Sequence, residues 1–257
     1  MPSKTPQITL HHLNKSRSER LFWLCEELEL PYEVKVWLRK PIRAPSELKT
    51  IHPLGKAPVM TDGDLVIAES GAIVDYILNT YSPTPPAYSL HDSYFSHYAE
   101  GSLTLFLQMG ITFTGSASMA PWYIKPVIDG FVGKVKAGYV DGQIKMHFNF
   151  LEEELGKSPT GWFGHKEEPS AADYMLLYPI NTVISDPSRV SGLTVGPRLQ
   201  DWMQRVKSRP AYQRGFERLK EEERKAKEEK EKVEGGEQTV AVEQAGSGTA
   251  STMKSKL

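Results

Sequence analysis

The first 81 residues switch repeatedly between two hydrophobic periods, and that alternation restricts the chain to few folds. In ITLHHL (Ile8–Leu13), Ile8, Leu10 and His12 share one face, the period-two pattern of a strand. The polar loop NKSRSER follows and opens a helix whose apolar stripe is Leu21, Leu24, Cys25 and Leu28. Glu26, Glu27 and Glu29 are expected to face water. YEVKVWL (Tyr32–Leu38) returns to period two. Two strands joined through a helix run parallel if they share a sheet, because a parallel neighbour needs a long crossover. APVMTDGDLVIAE then reads as a hairpin around Asp62-Gly63, and Ile73, Val74, Ile77, Leu78 and Tyr81 as a closing helix.

A β-α-β unit, a hairpin and a helix predict a thioredoxin-like α/β domain over residues 7–82. SPTPPAY (Ser82–Tyr88) is a stiff connector, and strand signals vanish after it, so residues 88–219 read as an all-helical domain. Within it, Ser170 and Asp173 have capping-box spacing ahead of the apolar run YMLLYPI; losing that cap would cost ~1 kcal/mol. The run from Gly101 to Ile124 has no charge, yet Gln108, Gly110, Gly115 and Pro121 dilute it below the ~20 apolar residues of a membrane span. Leu103, Phe106, Leu107, Gly110 and Ile111 mark instead one face of a buried helix. Residues 220–257 form a charged tail. Glu221→Lys225, Glu223→Lys227 and Glu228→Lys232 are helical pairs, so the charged run reads as a solvated helix or a charged coil that Gly235-Gly236 stops, and the remainder is expected to be disordered.

Several function classes drop out. With 31 basic against 32 acidic side chains and a formal charge of −1, no global field favours nucleic acid or an anionic membrane. The one cysteine, Cys25, permits no internal disulfide and no thiolate-only metal site. It lies on an apolar helix stripe without a CxxC partner, which predicts a buried, inert thiol. His11, His12 and His52 lack metal-ligand spacing, and neither a glycine-rich phosphate loop nor a nucleophile elbow is present. MPSKTPQITLHHL does not look like a secretory signal. Ser255-Lys256-Leu257 matches the peroxisomal address, so a peroxisomal location through an import receptor is expected, with a cytoplasmic pool as the alternative.

LNKSRSERLFWLCEELELPYEV, IHPLGKAPVM, LVIAESGAIVDYIL and the late S-x-x-D helix start together resemble the cytosolic glutathione transferases. The likeness is closest to a fungal and bacterial branch with an asparagine-x-serine-arginine loop, and it covers about residues 7 to 216. It implies glutathione as co-substrate, no metal, a small hydrophobic electrophile and a homodimer. It further implies a hydroxyl or amide donor in the first loop that lowers the thiol pKa from near ~8.5. Ser16, just ahead of the helix, is the leading candidate, with Asn14, Arg17 and Ser18 as rivals. Pro58 is expected to be cis, turning the N–H and C=O of Ala57 toward an extended ligand. Ser70 and the free amides at its helix start would take the γ-glutamyl carboxylate, and Glu69 the ligand's ammonium. Lys56 and Arg43 would neutralise the glycine carboxylate, Arg39 and Lys40 being alternatives to Arg43. Tyr98, Ser102, Phe106, Met109, Trp122 and Tyr123 are candidates for an apolar wall. Conjugation and glutathione peroxidase activity, for detoxification or biosynthesis, would follow. A non-catalytic binding or scaffold protein on the same fold is the rival reading.

Overall fold

The chain builds a four-stranded sheet and nine helices among the residues described by a computed structural model, which are 5–40 and 43–249, with side chains as far as 232. The sheet strands are β1 (Ile8–Leu13), β2 (Tyr32–Trp37), β3 (Val59–Asp62) and β4 (Leu65–Ala68), in the order β2-β1-β3-β4. Between β1 and β2 lies α1 (Glu19–Glu27), and the two strands pair in parallel from Ile8↔Tyr32 to Leu13↔Trp37. β3 runs antiparallel to both β1 and β4. Gly63, at φ +61, sits first in the two-residue turn between β3 and β4, where an L side chain would be strained. α2 (Ser70–Tyr81) closes the α/β domain, as the periodicity predicts.

These directions have one functional consequence. β1 ends where β3 begins, and β4 ends beside the start of β3. The loop after β1, the residues before β3 and the start of α2 therefore share one end of the sheet. Three adjacent strands at ~4.8 Å spacing span ~10 Å, the reach of an extended three-residue peptide.

The helical part comprises α3 (Leu90–Tyr98), α4 (Thr104–Ser118), α5 (Lys125–Val135), α6 (Asp141–Lys157), α7 (Ala171–Ile184), α8 (Pro197–Ser208) and α9 (Pro210–Thr249). Single π turns join α3 to α4 and α5 to α6. Ile8, Leu10 and Met60 of the sheet, with Leu21, Phe22, Ile73 and Ile77, belong to one core continuous with Tyr174, Leu176 and Trp202. The capping box at α7 is present: Asp173 accepts from the Ser170 N–H at 3.1 Å. Buried Asp173 also accepts from Phe163 N and Trp202 Nε1, both at 2.9 Å, so the cap doubles as a core anchor. No described helix is long and apolar enough to cross a membrane; over the uncharged run the helix ends at Ser118, and α5 begins only beyond it, at Lys125.

Two expectations need correction. Glu26 and Glu27 do not simply face water. Glu26 accepts from Tyr32 Oη and Arg214 Nε, each at 2.9 Å, and Glu27 binds Trp23 Nε1 at 2.8 Å and the Arg209 guanidinium. They fasten α9 across α1. Of the two readings of the charged run the helix holds, while the stop and the disorder beyond it do not: α9 continues through Gly235-Gly236 to Thr249, with Leu219 buried. Two glycines cost ~1 kcal/mol each in a helix, less than is needed to end one already propagating from a packed start. Ser255-Lys256-Leu257 lies outside the described residues.

Candidate functional site

The loop that leaves β1 turns at Lys15, held at φ 55, and brings two serines together at the start of α1. Ser16 Oγ lies 2.7 Å from Ser18 Oγ, and both side chains are buried. Ser18 occupies the N-cap position, yet its hydroxyl makes no cap bond. It faces His12 instead, with Oγ 2.6 Å from Nδ1. The other ring nitrogen of His12, Nε2, is 2.9 Å from Glu223 Oε1 of α9. Four side chains thus form one unbroken row, Glu223, His12, Ser18, Ser16, ending at the amino end of a helix, where positive potential favours an anion.

The other two loop residues serve the frame. Asn14 Oδ1 accepts from Arg39 N at 2.9 Å, and Arg39 Nε donates to Asn14 O at 3.0 Å, so Asn14 ties the loop to the segment after β2. Arg17 pairs with Glu100 of the π turn beyond α3, which also accepts from fully buried Arg20 at 2.7 Å. Arg17 therefore bridges the sheet domain to the helical domain.

At the facing strand, the Ala57–Pro58 bond is cis. Pro58 is buried and Ala57 half-buried, at the end of the sheet where the serine loop emerges. Lys56 is exposed and has no ion-pair partner among the described residues. Arg43 is also exposed, its carbonyl accepting from Lys40 N at 2.9 Å; Lys40 itself pairs with Glu47. Arg39 and Lys40 are thus engaged elsewhere. At α2, Glu69 is exposed with φ 76, a conformation that L residues avoid, and Ser70 is buried. No side chain caps this helix, and Ile73 N is the first amide bonded back, to Glu69 O at 3.0 Å. The amides of Ser70, Gly71 and Ala72 remain open for an anion.

The proposed apolar wall is only partly assembled. Tyr98 is buried and hydrogen-bonds His147 Nδ1 at 2.6 Å, while Phe106 packs edge-on against Tyr139. Both belong to the helical core. Ser102 and Met109 are half-buried, whereas Trp122 and Tyr123 stand 84% and 67% exposed. A cavity of about 830 Å³ lies elsewhere. It is lined by Leu28, Leu78, Asn79, Tyr88, Lys166 and Arg209, at the far ends of α1 and α2. Nine helical residues span ~13.5 Å, so that cavity does not reach Ser16. Cys25 is fully buried, its thiol pushed up to about 12 by desolvation and then by Glu26. Among the described residues no cluster of three metal-ligating side chains occurs.

Sequence reasoning missed His12 and Glu223. The one available signal was a polar side chain on the inward face of the first strand, which needs a partner when buried.

Comparison with known proteins points to one family. A family model described as the glutathione S-transferase N-terminal domain matches residues 6–79. The chain is 29% identical over 222 residues to Glutathione S-transferase 3 of Schizosaccharomyces pombe, covering 83% of this chain and 88% of that protein. It is 30% identical over 158 residues to Glutathione S-transferase Z2 of Arabidopsis thaliana, covering 61% and 67% respectively. The solved structure of a glutathione S-transferase from Actinobacillus pleuropneumoniae superposes with TM-score 0.62 at 29% identity, over 82% of this chain and 92% of that one. With a thioredoxin-like sheet carrying a cis proline, an uncapped second helix and an all-helical second half, the chain belongs to the glutathione S-transferase family.

Proposed function

We propose that this protein ionises the thiol of glutathione beside Ser16 and directs it at small electrophiles. The observation that carries this reading is the position of the Ser16–Ser18 pair at the amino end of α1, on the sheet end shared with Ala57 and the open amides of α2. The ~10 Å between these elements matches the tripeptide. In this arrangement the peptide's cysteine pairs with the main chain of Ala57 as an added strand does. Its γ-glutamyl carboxylate meets the amides of Ser70 and Gly71, with Glu69 accepting from the ammonium. Lys56 and Arg43 supply positive charge for the glycine carboxylate.

Ser16 Oγ–H then donates to sulfur, and the helix end adds positive potential. Each unit by which the thiol pKa falls corresponds to ~1.4 kcal/mol favouring the thiolate. The thiolate attacks an electrophilic carbon; the S–C bond forms as the leaving group departs with its electron pair. Proximity supplies the remainder of the rate. The same thiolate can attack the O–O bond of a hydroperoxide, giving an alcohol after protonation and a sulfenic acid that a second glutathione resolves to its disulfide. Exposed Trp122 and Tyr123, beside the exposed apolar residues Val127 and Phe131 of α5, supply a surface for a homodimer.

Glutathione calorimetry and a conjugation assay on Ser16→Ala test the reading. Turnover should fall ~10²-fold with glutathione affinity within twofold of wild type. Undiminished turnover removes Ser16 from the mechanism. A wild-type protein that binds no glutathione removes the reading altogether.

A further inference from the structure

We infer that Glu223 and His12 are positioning residues which, through Ser18, commit the hydroxyl hydrogen of Ser16 to the glutathione sulfur. The inference rests on the thiol-activating reading above and extends the machinery to a helix 211 positions away in sequence.

An ionised carboxylate only accepts, so Glu223 Oε1 at 2.9 Å requires a hydrogen on His12 Nε2. The hydrogen bond from His12 lowers the Glu223 pKa, which keeps that carboxylate ionised. With Nε2 protonated, two states of the ring remain. If Nδ1 is bare, Ser18 Oγ, 2.6 Å away, donates its only hydrogen to it. If Nδ1 is protonated, the ring donates to Ser18, whose hydrogen passes to Ser16 Oγ at 2.7 Å. In both states the Ser18 hydrogen is spent within the row. With Nδ1 protonated, Ser16 accepts from Ser18 and its own hydrogen points outward; with Nδ1 bare, that hydrogen closes the 2.7 Å gap to Ser18 Oγ until an anionic sulfur, the stronger acceptor, draws it away. The tautomer with Nδ1–H and bare Nε2, which would free Ser18 to compete, faces two acceptors toward each other and is disfavoured.

The row is held firmly. His12 is 1% exposed, and its ring meets Phe22 edge-on with centroids 5.6 Å apart. On the same charged stretch, Glu221 and Glu222 pair, among the described residues, with exposed Arg224 and Lys225. Glu223 turns inward, its side chain 23% exposed, with Lys227 3.6 Å from its outer oxygen. Its placement against a buried imidazole is thus distinct from the helix's surface pairs.

The test uses the full chain with three readouts: conjugation kinetics, the ultraviolet absorbance of bound thiolate against pH, and ¹H–¹⁵N correlation of the His12 ring. Glu223→Gln preserves shape but can donate to Nε2, so the inference expects about a tenfold fall in kcat, equivalent to ~1.4 kcal/mol. It also expects thiolate formation displaced to higher pH, with glutathione affinity within twofold. Glu223→Asp should recover part of the loss. Glu221→Ala, on the same helix, should leave kinetics unchanged. In wild type the ring spectrum should show Nε2 protonated, which needs no variant to fold. A bare Nε2 overturns the inference, as does an unchanged thiolate titration in Glu223→Gln. A wild type that binds glutathione without forming thiolate overturns the reading beneath it, so the two failures are told apart.

Discussion

Arg20 lies wholly out of solvent and donates through Nη1 to Glu100 at 2.7 Å, joining α1 to the π turn of the helical domain. Burial lowers the Arg20 pKa, and Glu100 is the largest influence opposing that shift. Removing one partner of such a pair leaves an uncompensated buried charge, which typically costs ~3–5 kcal/mol. Glu100→Ala should therefore lower the unfolding free energy by that amount, read as a lower urea midpoint with the slope unchanged. Arg17→Ala, which removes a third-exposed contact to the same carboxylate, should cost ~1 kcal/mol or less. Equal costs for the two variants would show that Arg20 does not depend on this partner.

Glu19, half-buried at the start of α1, has its pKa raised from 4.5 to about 7 by desolvation, against the lowering influence of Arg20. The folded state thus binds this proton more tightly than the unfolded chain. The contribution to stability is complete below pH 4.5 and is lost as pH rises through about 7, a change of at most ~3 kcal/mol. Glu19→Gln should remove that slope and be the more stable protein above neutrality. His11, His147 and His165 have lowered pKa values and act in the opposite sense, so the wild-type-minus-variant difference is the quantity to measure. A difference that does not vary with pH across this window would rule out the elevated carboxyl.

Much of the fold and part of the site were legible locally. The Asp62-Gly63 hairpin and the Ser170–Asp173 cap follow from residues within one or two turns of each other, and the parallel crossover from three successive segments of the chain. The serines, Pro58 and Glu69-Ser70 were placed by motif, and the strand directions explain why they converge. What escaped was long-range. Glu26 and Glu27 look like solvated helix acids until Arg214 of α9 and Arg209, just before it, arrive more than 180 positions later. Likewise Glu223 is one acid in a charge run, and only the packing of α9 on α1 turns it toward His12. Ser18, by sequence a helix cap, is drawn sideways by that same histidine.

Cys25 offers a check on how closely the α/β core is packed. With the thiol fully buried and its pKa pushed up to about 12, almost no thiolate exists at neutrality. Native protein should resist an aromatic disulfide reagent, and labelling should proceed at the rate of global unfolding. Cys25→Ala should retain conjugation activity. Rapid labelling of native protein, or a mixed disulfide with glutathione at this residue, would place Cys25 in reach of the site.

Glu69 combines strain and recognition in one residue. Its φ of 76 with ψ of 124 lies in a region that costs an L residue ~1–3 kcal/mol, and it is tolerated where β4 turns into α2. Glu69→Gly should relieve that strain while losing ~0.5–1 kcal/mol to greater freedom in the unfolded chain, for a net gain of ~1 kcal/mol. The same change removes the carboxylate assigned to the ligand's ammonium, so glutathione affinity should fall about tenfold, or ~1.4 kcal/mol. Glu69→Ala separates the two effects: it should lose the same affinity and, keeping a Cβ at positive φ, gain no stability. Calorimetry and chemical denaturation on the pair decide the matter. If Glu69→Gly binds glutathione as tightly as wild type, the strained backbone is there only to aim the helix amides, and the ammonium is held by another group.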